Sequence, residues 1–127
     1  MPVAGELGAI AAGGALGALL RYGAMAGAAR LLPGAFPWGT LLVNVSGSLL
    51  MGAVYVSLLE RGVLPAPWRA FLAVGLLGAF TTFSTFSLDA LALMAGGAPG
   101  RAAVYVLASV VVCLLAAAAG MVLARMV

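Results

Sequence analysis

Four apolar stretches dominate this chain, and each is long enough to cross a lipid bilayer as a helix. The segments between them combine proline with glycine, residues that end helices and form turns. Only 7% of the 127 residues are charged, whereas a soluble domain has about 25%, so the chain cannot cover a globule with polar surface. We therefore predict an all-α membrane protein with a single domain, residues 1–127. Its four transmembrane helices are predicted at residues 7–29, 38–59, 70–95 and 102–124.

The few ionisable side chains exclude several classes of function. Histidine is absent and the six basic residues are scattered arginines, so a nucleic-acid patch is not expected. No span carries paired carboxylates, and we do not expect an enzyme. Cys113 is the single cysteine, which rules out an internal disulfide. Its thiol is not expected to be unusually reactive, because it has no basic neighbour in the sequence. Since the first six residues lack a basic region, the first span is expected to be retained rather than cleaved as a signal peptide.

The arginines are divided almost evenly between the two sides of the membrane. With the N-terminus inside, three lie on the inner side, two on the outer side and one within the first span. The inner arginines are Arg61, Arg69 and Arg125, the outer ones are Arg30 and Arg101, and Arg21 lies within the first span. Because an excess of arginine on one side sets the orientation of a membrane protein, so small a bias predicts insertion both ways. Two copies could then pair antiparallel, and since four helices enclose little space, we expect a dimer with any pathway between its subunits.

Hydroxyl groups are concentrated in the third span at membrane depth. Five of the seven residues 81–87 carry a hydroxyl, and the triplet Thr-Phe-Ser occurs twice in succession. Polar groups gathered in a membrane helix mark a route or a site for something polar. The pair Thr81-Thr82, preceded by Gly75 and Gly78, also predicts that the helix breaks near its middle. Unwound backbone there must be buried or line a cavity, and its freed carbonyls can hold a cation.

Phenylalanine rings and an amide accompany these hydroxyls. Phe83 and Phe86 lie three positions apart, and the edge of a phenyl ring is electropositive. Ring edges with neutral donors can replace the hydration of a small anion without the full charge that would trap it. Asn44, near the centre of the second span, either makes an interhelical hydrogen bond or lines such a pathway.

Other polar residues within the spans have more than one interpretation. Tyr105, Ser109 and Cys113 follow one face of the fourth span and serve either packing or a hydroxyl lining. Arg21 either extends to the headgroups, faces a water-filled vestibule or pairs with a carboxylate. Asp89 is expected to neutralise an arginine or to cap a helix.

Three motifs together resemble one known family. They are Gly-Gly-Ala-Leu-Gly-Ala-Leu-Leu-Arg-Tyr at 13–22, Gly-Thr-Leu-Leu-Val-Asn-Val-Ser-Gly at 39–47 and Gly-Ala-Phe-Thr-Thr-Phe-Ser-Thr-Phe-Ser at 78–87. In order and spacing the chain resembles the small fluoride channels of the Fluc (CrcB) family across all four spans. The resemblance implies an antiparallel, dual-topology homodimer in the prokaryotic plasma membrane. Two pores at its interface would let fluoride leave the cytoplasm passively and protect the cell against fluoride toxicity.

The resemblance also implies roles for individual residues. Asn44, Phe83 and Phe86 match the pore asparagine and the two fluoride-facing phenylalanines, and Arg21 matches an arginine assigned to the vestibule. The hydroxyls assigned to the pore are those of Thr40, Ser84, Tyr105 and Ser109. Gly78 and Thr81 match residues whose backbone carbonyls hold a structural Na⁺ on the dimer axis. Some relatives have a hydroxyl where this chain has Cys113.

A small four-helix multidrug exporter is the alternative function. Such exporters also form antiparallel dimers, but they need a carboxylate buried in the first helix for proton coupling. Here the first span carries Arg21, and Glu6 lies at its edge. A membrane scaffold without transport activity would explain the many glycines, but it would not explain the Thr-Phe-Ser repeat.

Overall fold

The computed structural model describes residues 3–127, and Met1 and Pro2, which begin the predicted domain and N-terminal segment, lie outside the described residues. We number five helices in chain order. They are α1 (Ala4–Leu31), α2 (Trp38–Val54, continued by wider π-helical turns over Tyr55–Glu60), α3 (Ala66–Arg69, continued by π-helical turns over Ala70–Leu77 and by Gly78–Phe80), α4 (Phe83–Ala95) and α5 (Pro99–Arg125). Residues 3–127 include no strand.

The predicted all-α membrane fold is confirmed. Four helical segments are long and apolar enough to cross a membrane, and the third of them, Ala66–Ala95, contains both α3 and α4. The predicted break is also confirmed, because Thr81 and Thr82 have extended backbone angles (φ −82°, ψ 156° and φ −150°, ψ 109°) between the two helices. The polar repeat therefore begins at the break and continues along the first turns of α4.

Most of the helices extend a few residues beyond the predicted spans. Pro67 and Pro99 lie in the first turns of α3 and α5, where a missing amide hydrogen costs nothing and the fixed φ suits a helix. After α4, Gly97 takes a φ of 80°, a backbone conformation that glycine adopts readily. The connections between membrane spans are consequently short.

Glycine allows two pairs of helices to approach closely. A Cβ atom on Gly13 or Gly17 of α1 would overlap the backbone oxygen of Phe71 or Leu76 in α3. The same holds between α2 and α5, where Gly52 lies against the Ala117 oxygen and Gly120 against the Leu49 oxygen. Close backbone approach is how membrane helices pack when hydrophobic burial no longer drives them together. Gly23 and Gly27, by contrast, face open space within the described chain.

Helices α2 and α5 run in the same direction with a constant register. Glu60 and Arg125, 65 positions apart in the sequence, form an ion pair of 2.7 Å. The contact between Gly52 and Ala117 has the same separation, and so do Thr40 and Tyr105, which share one hydrogen-bond acceptor. This register places Asn44 level with Ser109 and, one turn further, Ser48 level with Cys113.

Candidate functional site

A groove of about 400 Å³ lies between α2, the break in the third span, α4 and α5. Its polar lining consists of Asn44, Ser48, Thr81, Thr82, Ser109 and Cys113. Its apolar lining consists of Gly47, Met51, Phe83, Phe86, Val110, Leu114 and Ala117. Among the described residues that line the groove, none carries a formal charge. Uncharged donors and aromatic rings from three helices thus line one space at membrane depth.

Asn44 binds the backbone at the break in the third span. Its Nδ2 donates to the carbonyl oxygen of Thr82 at 3.0 Å, and the Thr82 amide donates to Asn44 Oδ1 at 2.7 Å. Unwound backbone in a membrane needs such partners because lipid offers none. Asn44 also lines the groove. The expected interhelical hydrogen bond is therefore present, and the same side chain also reaches the groove.

The same contacts free the two carbonyls predicted to hold a cation. In a continuous helix each amide donates to the carbonyl four residues earlier, so the Gly78 and Thr81 carbonyls would accept from the amides of Thr82 and Thr85. Here the Thr82 amide donates to Asn44, and the Thr85 amide donates to Thr82 Oγ1 at 3.2 Å. The carbonyl oxygens of Gly78 and Thr81 are thereby left without the amide donors that a continuous helix would provide.

Thr82 also begins α4. Its Oγ1 accepts from the Thr85 amide and donates to Thr85 Oγ1 at 3.0 Å, which is the arrangement of a helix N-cap. The first turn of a helix carries free amides and the positive end of the helix dipole. Ser84 lies in this turn, exposed and 3.4 Å from Thr82 Oγ1, but it is not among the residues that line the groove.

Phe83 and Phe86 line the groove with different degrees of burial. Their ring centroids are 5.3 Å apart and the ring planes are tilted by 53°. Phe86 is 9% exposed and packs against the ring of Tyr105, whereas Phe83 is 77% exposed. One ring is consequently held by the core of the subunit, and the other projects from its surface.

Among the described residues that line the groove, Ser109 carries the buried hydroxyl without a partner. The side chains of Ser46, Thr81 and Ser87 each donate to the carbonyl four residues earlier in their helix. Ser109 makes no such bond, and its Oγ is buried with no hydrogen-bond partner in residues 3–127. Ser109 is only 6% exposed, so an unpaired hydroxyl here lowers the free energy of unfolding by about 1–3 kcal/mol. The Ser109 hydroxyl is therefore free to bind a polar molecule that enters the groove.

Thr40 and Tyr105 do not line the groove and instead bind Asp89. Both hydroxyls donate to the same carboxylate oxygen, at 2.6 Å from Thr40 and 3.1 Å from Tyr105. The two hydroxyl residues are almost completely buried, at 2% and 0% exposure. The prediction that Asp89 caps a helix is wrong, and the prediction that it neutralises an arginine finds no ion pair within residues 3–127. Asp89 lies in the middle of α4, and within residues 3–127 no arginine is at ion-pair distance from it.

One predicted residue lies away from the groove, and two residues that line the groove were not predicted. Arg21 is half-buried in α1 and is not among the residues that line the groove. Ser48 and Met51 line the groove, although neither is predicted from the sequence to belong to the pathway. Ser48 follows Asn44 by four positions, a helical spacing that places both on one face of α2. That spacing is the signal by which Ser48 could have been found.

Comparison with known proteins identifies the family. A family model described as CrcB-like protein, Camphor Resistance (CrcB), matches residues 8–121. A protein of Methylococcus capsulatus named fluoride-specific ion channel FluC is 54% identical over 120 residues, 94% of this chain and 53% of that protein. Proteins of the same name from Methylobacterium nodulans and Shewanella amazonensis are 53% and 50% identical over 77% and 83% of this chain, or 78% and 84% of their own lengths.

The match with the family model covers the second and third membrane spans, most of the first and fourth, and every residue of the groove. The chain spans about half the length of the Methylococcus capsulatus relative and most of the length of the other two. Its four apolar helices and its bacterial relatives make it a multi-pass protein of the inner membrane. The resemblance seen in the three motifs is thereby confirmed, and the chain belongs to the CrcB-like family.

Proposed function

We propose that the chain forms a fluoride-selective channel, which lets fluoride leave the cytoplasm passively and so protects the cell against its toxicity. Three of its relatives are named fluoride-specific ion channels. The observation that carries the proposal is the groove, whose described lining combines neutral hydrogen-bond donors with phenylalanine rings and no charge. A multidrug exporter needs a carboxylate buried in the first helix. This function is not supported, because the only carboxylate of α1 is that of Glu6, in the first turn of the helix.

Selectivity would follow from how the groove replaces water around an anion. The Ser109 hydroxyl, the Asn44 amide and the electropositive edges of Phe83 and Phe86 offer weak, neutral contacts. The first turn of α4 adds the positive end of a helix dipole. Conduction needs binding that is favourable but weak enough for release, and neutral donors meet this condition better than an arginine would. A larger halide would fit the same narrow contacts less well.

We further propose that two copies pair antiparallel, with both pores along their shared seam. The groove is open on one side, and the Phe83 ring beside it is 77% exposed. Lipid cannot satisfy the polar groups of this groove, so a protein surface must cover it. A second copy in the opposite orientation is consistent with the nearly balanced arginines. The two grooves of such a pair would lie side by side and form two pathways.

A structural Na⁺ at the dimer axis is the third part of the proposal. Gly78 and Thr81 in each copy would contribute the backbone carbonyls that the break releases, since their amide donors are bound elsewhere. Carbonyl oxygens suit a hard cation, and four of them from two chains would bind it. The ion would supply the positive charge that joins two carbonyl-bearing segments across the interface.

Fluoride efflux from liposomes tests the function. Vesicles that contain the purified protein and are loaded with potassium fluoride should release fluoride rapidly when valinomycin carries away the potassium, as measured by a fluoride electrode. Matched vesicles loaded with chloride should release far less of it, because the second copy would close the groove to a path too narrow for the larger anion. Equal release of both anions, or release of neither, would contradict the proposal.

Exchange of Na⁺ tests the dimer together with its ion. Protein prepared with N-methylglucamine in place of Na⁺ should show a smaller dimer fraction in dilute detergent, because the freed carbonyls of two copies would then repel one another. Cross-linking followed by gel electrophoresis measures that fraction, and restored Na⁺ should return it to its initial value. A dimer fraction indifferent to Na⁺ would remove the ion from the proposal. C-terminal reporter fusions found on one side of the membrane alone would contradict the antiparallel arrangement.

A further inference from the structure

We propose that Cys113 is a modification site within the permeation groove, at which small polar thiol-reactive electrophiles form a mixed disulfide that blocks the passage of ions. The inference rests on the proposed channel function, and it concerns a residue that neither packing nor the anion contacts described above require. It assigns to this chain a sensitivity to one class of inhibitor.

The position of Cys113 is determined by the register of α2 and α5. Cys113 is half-buried and lines the groove one turn beyond Ser109. The constant separation of 65 positions, seen between Glu60 and Arg125, places it level with Ser48, which lines the same groove from α2. A group added to the Cys113 sulfur would therefore stand between the two helices that bound the groove.

Ser109 supplies a second, independent indication that a polar molecule enters at this point. Its Oγ is buried and unpartnered within residues 3–127, and it does not donate to the carbonyl of its own helix. Because Ser109 and Cys113 are four residues apart, they share one face of α5. A route that delivers a ligand to the Ser109 hydroxyl also passes the Cys113 thiol.

The reaction is ordinary disulfide exchange and needs no unusual thiol. With methyl methanethiosulfonate, the thiolate sulfur of Cys113 attacks the methylthio sulfur, the bond to the sulfonyl sulfur breaks, and methanesulfinate leaves. The proton of the thiol goes to water. The reagent is added at mildly alkaline pH, at which thiols react readily with such electrophiles. The groove of about 400 Å³ has room for the added methylthio group.

The test combines fluoride efflux with mass spectrometry of the intact protein in liposomes, each protein serving as its own untreated reference. The wild-type protein should gain one methylthio group, and its efflux rate should fall at least about tenfold. An apolar group in a narrow path removes water from that path and so blocks ions. Cys113→Ser should gain no group and keep its own untreated rate. The matched control is Cys113→Ser with Val112→Cys, which moves the thiol to a residue that does not line the groove. Its efflux should be unaffected by the reagent.

The possible outcomes separate this proposal from the function on which it rests. Full modification of Cys113 with unchanged efflux would overturn the proposal, and so would a Cys113 that stays unmodified while the thiol at position 112 reacts. Equal loss of efflux in the matched control would show that the block does not arise in the groove, which also overturns it. If untreated protein releases no fluoride, the channel function itself fails, and the proposed block fails with it.

Discussion

Replacing Asn44 with aspartate should lower fluoride efflux by about 100-fold. The Asn44 amide donates to the Thr82 carbonyl at 3.0 Å, and an ionised carboxylate has no proton with which to make this bond. An unpaired polar group at a buried site costs about 1–3 kcal/mol, and a tenfold change corresponds to about 1.4 kcal/mol. The new negative charge would also lie on the groove wall and repel an anion. Efflux from liposomes at equal protein content measures the effect.

A serine two positions further along the same helix provides the control for Asn44→Asp. Ser46 is exposed, and its hydroxyl donates only within α2, to the Leu42 carbonyl at 2.7 Å and more weakly to the Val43 carbonyl at 3.4 Å. Ser46→Ala should therefore conduct fluoride at the wild-type rate. Thermal unfolding of both variants separates loss of the pathway from loss of the fold. If Asn44→Asp conducts as fast as Ser46→Ala, the amide has no part in permeation.

The break in the third span is predictable from sequence because several of its causes are local, although Asn44 also binds the Thr82 backbone from α2. Paired threonines favour extended backbone through their β-branched side chains, and the hydroxyl of Thr82 competes with the helix for the Thr85 amide. The lengths of the four spans and the prolines between them are equally local signals. Asn44, Phe83 and Phe86 follow from the motifs and Ser109 from its place on the fourth span, and the structure brings all four to one groove.

The partners of the buried hydroxyls are not predictable in this way, because they depend on helix register. Asp89 accepts from Thr40, 49 positions away, and from Tyr105, 16 positions away. Periodicity shows which residues share a face of a helix, but it does not show how far one helix has slid along another. The resemblance assigns the Thr40 and Tyr105 hydroxyls to the pore, whereas in this register both donate to Asp89. The steric fit of glycines between α2 and α5 decides which register forms.

Gly120→Ala should destabilise the protein by about 1–3 kcal/mol, the usual cost of overpacking a tight interface. A Cβ atom at this position would overlap the Leu49 backbone oxygen and lie 3.0 Å from the Ala53 amide nitrogen. Both atoms belong to the backbone of α2, which cannot turn aside as a flexible side chain can. The two helices must separate, and the groove between them widens. Unfolding in mixed micelles of increasing denaturing detergent measures the free energy, and fluoride efflux should fall with it.

Gly23→Ala is the matched control for Gly120→Ala, because a Cβ at Gly23 meets no atom within 4 Å. Alanine has a higher helix propensity than glycine by about 1 kcal/mol, so this variant should unfold no earlier than the wild-type protein. The propensity gain applies equally at position 120, and any loss there is therefore due to the contact with α2. If the two variants unfold at the same detergent concentration, glycine does not set the separation of α2 and α5. The register that places Asn44 level with Ser109 would then need another cause, such as the shared bonds of Thr40 and Tyr105 to Asp89.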